Sequence, residues 1–372
     1  DIFYVQRLDF IIKIFQSLFV CFLIGLLFFY FNSYFKITPK TILIFNIFFF
    51  GLFFYGWRKL YLKIFSKSFK KRVAFLGEHK LNKIIEERIK TNPYLGLEIV
   101  LTLTKNQNFN YFIEKYKIEN LILTIDVSKD KKLLKKLLNC LPYGVDFYNL
   151  PDLYEEIFHK IPIDYIDQKW FLENFSEGNK KIYDNIKRII DIFLSLFFII
   201  LTFPLWLIFS ILIKNEDKGP IFYKQKRVGK NGKIFELIKF RTMIVNAEEK
   251  GAQWAEKDDK RITKIGKFLR KTHLDEIPQM LNILRGNISF VGPRPERPEF
   301  VEKLSKKIPY YNLRHIIKPG FTGWAQINFS YARTIEDSKE KLEYDFYYIK
   351  NRSLILDLGI ILKTFQLLFK EN

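Results

Sequence analysis

The sequence predicts a membrane α/β protein, with N-terminal transmembrane helices, a small Rossmann-like α/β domain, and then a further apolar helix leading into a folded, loop-rich C-terminal region. Three observations predict it. Uncharged or nearly uncharged apolar runs recur at residues 14–31, 41–57 and 189–213. Short apolar runs alternate with charged helical stretches between residues 72 and 150. Pro and Gly gather between short helical patterns over residues 220–330, without repeat or low complexity.

With 372 residues, 48% of them apolar, the chain can bury a core, which excludes a disordered polymer. The 61 Lys and Arg outnumber the 40 Asp and Glu and give a formal charge of +21, pointing to an anionic partner such as phosphate, lipid headgroup or nucleic acid. Only two cysteines, Cys21 and Cys140, are present, so a disulfide framework and a Cys-rich metal site are excluded and a reducing, cytoplasm-facing setting fits. Opening at Asp1 rather than Met, the chain is expected to be processed or a fragment.

The runs at 14–31 and 41–57 each approach the roughly 20 residues that span a bilayer, and together they read as a transmembrane hairpin rather than a signal peptide. Arg7 and Lys13 precede the pair, and Arg58, Lys59, Lys63, Lys67, Lys70, Lys71 and Arg72 follow it. Both flanks are therefore expected in the cytoplasm. Residues 72–150 carry the strand-like runs RVAFLG, LEIVLTL, NLILTID and GVDFYNL, the pattern of a mainly parallel sheet. The first strand runs into Gly77-Glu78-His79-Lys80-Leu81-Asn82, one glycine where a dinucleotide turn wants three, which argues against a bound dinucleotide.

The third run, 189–213, holds Asp191 near its start and Pro204 in its middle, with basic residues on both sides. Like charge at both ends favours a re-entrant helix, kinked where Pro204 lacks a backbone donor; a simple third span with a tolerated proline is the other reading. The tail, 353–370, has a helix-period apolar face and reads equally as a membrane-surface helix or a core helix.

Chemistry concentrates after residue 220. Lys224–Arg241 holds seven basic residues against one Glu, with Gly229 and Gly232 placed for a hairpin turn. A solvated or lipid-resting basic hairpin fits that composition, and without a recognised nucleic-acid motif beside the membrane runs it does not point to nucleic acid. Asp275 and Glu276 follow closely on Arg270. Adjacent acids also occur at Glu155-Glu156, Glu248-Glu249 and Asp258-Asp259, so the pair is set apart by its company: Val291-Gly292-Pro293-Arg294-Pro295 comes next, with a guanidinium pinned between prolines as bidentate phosphate recognition prefers. A second Pro/Gly-shaped loop is KPGFTGWAQ, residues 318–326. The four histidines lack metal-ligand spacing, and GxSxG and P-loop signatures are absent.

In order, KRVGKNGKIFELIKFRTM, KIGKFLRKTHLDEIPQMLNILRGNISFVGPRP and KPGFTGWAQIN closely resemble the bacterial sugar transferase family, the polyprenyl glycosylphosphotransferases, over about residues 180–370. The layout resembles the long-form monotopic members, which often open with four membrane helices where two are seen here. The resemblance implies a transmembrane hairpin at 1–60, a degenerate nucleotide-fold domain at 61–165 and a mainly helical α+β catalytic domain at 180–372 with its re-entrant helix at 189–213.

It further implies transfer of a sugar 1-phosphate from a UDP-sugar to undecaprenyl (polyprenyl) phosphate, releasing UMP, as the initiating step of surface polysaccharide synthesis. Asp275 would be the nucleophile and a Mg2+ ligand, and Glu276 its catalytic partner at the metal. Arg241, Arg270 and Arg294, with Lys239 beside them, would bind phosphate. The implied location is the bacterial inner membrane with the site at its cytoplasmic face, because nucleotide sugars are cytoplasmic; that argues back for re-entry of 189–213. Self-association into a homo-oligomer is left open, and the sugar, which the stretch Phe329–Ser338 is expected to influence, is not readable. The rivals are a membrane-anchored nicotinamide-dependent sugar-nucleotide dehydratase or epimerase, and a non-enzymatic membrane scaffold.

Overall fold

A computed structural model describes residues 40–65, 70–125, 130–175, 180–245, 261–329 and 334–370, with a few isolated positions besides. The chain divides into two compact units, Asp1–His159 and Lys160–Asn372. Just after that division Ile161 N donates to Glu343 O and Lys160 pairs with Glu340 and Glu343, all within the second unit.

In the first unit, α1 (Lys40–Phe65) carries the second apolar run, with a described apolar stretch at Phe48–Trp57. Apart from isolated positions, the run at 14–31 lies outside the described residues. Four strands follow: β1 (Lys71–Leu76), β2 (Leu97–Leu103), β3 (Asn120–Leu123) and β4 (Asp146–Asn149), all parallel in the order β2-β1-β3-β4. They alternate with α2 (Lys80–Thr91), α3 (Phe109–Tyr116), α4 (Lys131–Leu138) and α5 (Leu150–Phe158). Leu76, Leu103 and Leu121 are fully buried between the layers, as strands covered on both faces require.

The turn after β1 is closed by the chain itself. Gly77 has φ +106° and a Cβ there would lie 2.7 Å from Thr124 Oγ1, while Thr124 Oγ1 donates to Leu76 O and Asn82 Nδ2 to Gly77 O. The first turn of α2, where a dinucleotide fold seats its diphosphate, is capped by His79 Nδ1 accepting from Leu81 N.

The second unit starts with the short α6 (Gln168–Asn174) and then the 37-residue α7 (Lys181–Asp217), which stays helical through Pro204. Among the described residues it is the one helix long and apolar enough to cross a membrane. One face lies on the unit along nearly its whole length. Arg188 donates to Ile283 O and Leu284 O, and the buried Asp191 accepts from Ser289 Oγ and Phe290 N. Further on, Trp206 and Phe209 pack on Phe240, and Glu216 accepts from Lys264 N. Phe193, Phe197, Ile200, Phe203 and Leu207 on the other face are exposed.

The basic segment forms the expected hairpin: β5 (Phe222–Val228) and β6 (Ile234–Phe240) pair antiparallel around a turn at Lys230–Gly232, where Asn231 and Gly232 take positive φ. Then come α8 (Lys264–Lys271), α9 (Gln279–Arg285), β7 (Ser289–Val291), α10 (Pro298–Ser305), β8 (Gly320–Thr322), α11 (Trp324–Asn328), α12 (Ile335–Asn351) and α13 (Leu354–Lys370). β7 and β8 pair in parallel, bringing the two Pro/Gly loops together; a Cβ on Gly320 would lie 2.1 Å from Gly292 N, so only glycine allows the approach. The tail helix α13 is buried on one face and exposed on the other. Ile360 is fully buried and Asp357 binds Lys187, Tyr183 and Tyr348, whereas Leu358, Leu362 and Phe365 are exposed.

Asn282, fully buried on α9, accepts from Ile238 N at 2.9 Å and donates to Glu236 O at 2.7 Å, tying that helix to β6. Asn282→Ala leaves both backbone groups without those partners and is expected to cost about 2–3 kcal/mol, read as a lowered thermal midpoint in detergent. An unchanged midpoint would show that the hairpin is held by its apolar face alone.

Candidate active site

The acidic pair sits in a 3-10 turn, Leu274–Glu276, that follows α8 directly. Thr263 Oγ1 caps the start of α8 by accepting from Gly266 N. At its other end His273 turns into the left-handed region with φ 56°, folding the chain back so that the acids follow the cationic last turn of the helix. Leu274 and Ile277, on either side of the pair, pack against the cluster of Phe209, Ile213, Phe240 and Leu269. The hydrophobic effect that seats α7 on the hairpin thus also places the carboxylates.

Glu276 is buried and its Oε1 takes Lys239 Nζ at 2.5 Å and Arg294 Nη2 at 2.9 Å. Burial alone would raise its pKa; the two cations outweigh burial and hold the carboxyl well below the usual carboxylate range. Asp275 is equally buried, yet its side chain has no hydrogen-bond partner among the described residues. Burial pushes its pKa up, the nearby charges of Lys239, Arg270 and His273 pull it down, and Glu276 pushes it up again; the net shift is upward. One acid is saturated with positive charge and its neighbour is left uncommitted.

The expected phosphate-binding cations divide. Lys239 and Arg294 meet at Glu276. Arg270 lies near enough to Asp275 to influence it, with its Nε donating to Thr242 Oγ1 at 2.8 Å. Arg241 is engaged elsewhere: it forms a bidentate pair with Asp217 at the end of α7 and donates from Nε to Pro220 O at 2.6 Å. It clamps the helix to β6 rather than opening toward the acids. Sequence reading missed the roles of Thr242, Asn282, Arg227, Asp217 and Arg314; the first three lie inside the motif segments, but nothing in one sequence marks their partners.

Among the described residues no group of three or more His, Cys, Asp or Glu converges. Mg2+ is commonly held by one or two carboxylates plus substrate phosphates and water, so the uncommitted Asp275 suits it. Glu276, expected as a second ligand, is instead shared by Lys239 and Arg294.

The model of the bacterial sugar transferase family matches residues 182–371, and the chain belongs to that family. It is 41% identical over 228 residues to the UDP-N-acetylgalactosamine-undecaprenyl-phosphate N-acetylgalactosaminephosphotransferase of Aeromonas hydrophila, covering 61% of this chain and 53% of the relative. It is 34% identical over 311 residues to the UDP-glucose:undecaprenyl-phosphate glucose-1-phosphate transferase of Klebsiella pneumoniae, covering 79% of this chain and 67% of the relative. With the Escherichia coli (strain K12) protein of that same description it shares 30% identity over 319 residues, 79% of this chain and 67% of the relative. The chain thus spans about half the length of the Aeromonas relative and two thirds of the other two.

The two acids are expected to respond oppositely to neutralisation. Glu276 has a depressed folded pKa, so it stabilises above its unfolded value of about 4.3 and loses that contribution as pH falls below it. Glu276→Gln should cost about 2 kcal/mol at pH 7, less than a fully buried pair because Lys239 and Arg294 keep 21% and 38% of their side chains exposed, and the deficit should shrink below about pH 4. Asp275 has a raised folded pKa, so its ionised form destabilises at neutral pH. Asp275→Asn should raise the thermal midpoint at pH 7, with the gain fading on acidification. Midpoints of both variants across pH 2–8 check the signs; a loss for both would refute the division of labour.

Proposed function

We propose that the chain transfers a sugar 1-phosphate from a UDP-sugar to undecaprenyl phosphate, as its relatives' descriptions state for them, with Asp275 as the nucleophile and UMP as the leaving group. The observation that carries this reading is the asymmetry of the acidic pair: Asp275 is buried, uncommitted and raised in basicity, beside a Glu276 already neutralised by Lys239 and Arg294. A carboxylate can attack a polyanion only if the repulsion between them is offset, and Lys239, Arg270 and Arg294 stand around the pair to do so.

In the first half-reaction an Asp275 carboxylate oxygen bonds to the phosphorus next to the sugar. The bond from that phosphorus to the oxygen it shares with the UMP phosphate breaks, and UMP leaves with the electron pair. In the second, an oxygen of undecaprenyl phosphate attacks the same phosphorus and Asp275 departs as a carboxylate, giving undecaprenyl-diphosphate-sugar. Glu276 keeps Lys239 and Arg294 in place through both steps, and the low-dielectric walls around Asp275 preserve its nucleophilicity. Mg2+, when held at Asp275, would supply further neutralisation of the diphosphate.

Both ends of α7 are tied to the same unit, Arg188 and Asp191 near one end and Glu216 and Asp217 at the other, while its outer face is apolar. A span would place those ends on opposite sides of the bilayer. We read α7 as entering the cytoplasmic leaflet of the inner membrane and leaving on the same side, which keeps the acids at headgroup depth, where a lipid-borne phosphate lies.

UMP release in nanodiscs containing undecaprenyl phosphate and Mg2+, with a panel of UDP-sugars, is expected for wild type with a preferred sugar and absent for Asp275→Asn; wild-type rates in that variant would remove Asp275 from the mechanism. Arg294→Ala is expected to lower kcat by about 10²-fold or more, as for loss of one donor to developing charge. For topology, Lys181→Cys and Asn215→Cys in a Cys21→Ser background should both react with an impermeant maleimide in vesicles whose cytoplasmic face points outward. Labelling of only one of the two positions would establish a span instead.

A further inference from the structure

Arg294 reaches Glu276 from residues 292–297, a segment in no helix or strand, so its backbone must be held by something other than a ladder. Three successive carbonyls of this segment are gripped from inside the unit. Arg314 Nη2 donates to Arg294 O at 3.1 Å, Arg227 Nη1 donates to Pro295 O at 2.9 Å, and Val228 N donates to Glu296 O at 2.9 Å. Arg314 is itself held at both terminal nitrogens: it is buried, its Nη2 meets Asp345 Oδ2 at 2.7 Å and its Nη1 meets Tyr311 OH at 2.8 Å. Glu296 completes the network, pairing with Lys341 at 2.5 Å and lying 4.0 Å from both Arg227 and Arg314.

Such a network is a poor source of stability. Desolvating two guanidinium groups and two carboxylates consumes most of what their pairing returns, and apolar residues of similar volume would serve a core as well or better. What apolar residues cannot do is hold carbonyl oxygens at fixed points, whereas a planar guanidinium with five donors can bond a carboxylate, a hydroxyl and a carbonyl in one rigid arrangement. Asp345, 1% exposed and on the 17-residue helix α12, anchors this arrangement to that helix.

We propose that Arg314, held by Asp345, and Arg227 are positioning residues: they fix the backbone at 294–296 so that the Arg294 guanidinium meets Glu276 and the diphosphate of the donor. This rests on the phosphotransferase reading given above. Neither Arg227 nor Arg314 acts on the substrate; each acts through Arg294.

The test is a double-mutant cycle with Asp345→Asn and Arg294→Ala, singly and together, in nanodiscs and well below each protein's thermal midpoint. Asp345→Asn is isosteric and loosens Arg314 without opening a cavity. In the wild-type background it is expected to lower kcat about tenfold with KM changed far less; in the Arg294→Ala background it is expected to cost less than about twofold, because the group it positions is gone. An equal fold-loss in both backgrounds would overturn the proposal and make Asp345 a purely structural residue. If Asp345→Asn shows no cooperative thermal transition, Arg227→Lys, which keeps the charge and loses the Nη1 hydrogen bond to Pro295 O, enters the same cycle with the same two outcomes. Absence of UMP release from folded wild type would sink the phosphotransferase reading instead. The positioning is then read from UDP affinity of the same four proteins by calorimetry, where non-additivity supports it and additivity refutes it.

Discussion

The carboxylate of Glu276 is the point on which the C-terminal unit depends. It joins three segments that are far apart in the chain: the strand carrying Lys239, the turn carrying the acids, and the Pro-rich segment carrying Arg294. In a buried position two adjacent carboxylates would repel each other and one would take up a proton. With two cations on Glu276, its charge is cancelled locally and Asp275 can remain a carboxylate beside it. The same two contacts that stabilise one acid therefore lower the cost of burying the other beside it.

One stripe of the apolar helix α7 belongs to the core of the unit. Phe209 and Ile213 pack with Phe240 and Leu269, and that cluster receives Leu274 and Ile277 from either side of the acidic pair. Asp191, a carboxylate inside an apolar helix, would be costly facing lipid; it is instead spent on Ser289 and the Phe290 amide, where it secures the strand leading into the Pro-rich segment. The side chains that seat this helix on the unit therefore also seat the acidic pair.

Positive charge in this unit is partitioned by partner. Lys239 and Arg294 go to Glu276, Arg241 to Asp217, Arg314 to Asp345, and Lys187 to Asp357. A strongly basic chain thus spends many of its cations on internal carboxylates, and the ones that gather beside Asp275 do so because the hairpin and the two interlocked glycine loops converge there.

The amino-acid sequence by itself determined the periodicities and the local chemistry. Apolar runs long enough for a bilayer, alternating strand and helix patterns, the glycine turn of the basic hairpin, the adjacency of Asp275 and Glu276, and the proline-flanked Arg294 are all properties of neighbouring residues, and the family resemblance rested on them. The parallel sheet was legible for the same reason, as was the single glycine after its first strand, whereas closure of that turn by Thr124 and Asn82 was not. Which cation meets which acid was decided only by the tertiary structure. Arg241 is two residues from Lys239, yet the two side chains end at Asp217 and Glu276 respectively. Lys239 is separated from Glu276 by 37 positions and Arg314 from Asp345 by 31, and pairing at such distances depends on how the helices and the hairpin pack rather than on local pattern. Backbone support for Arg294 was invisible for a further reason: Arg227 and Arg314 bind carbonyl oxygens, which every residue carries and no sequence motif displays.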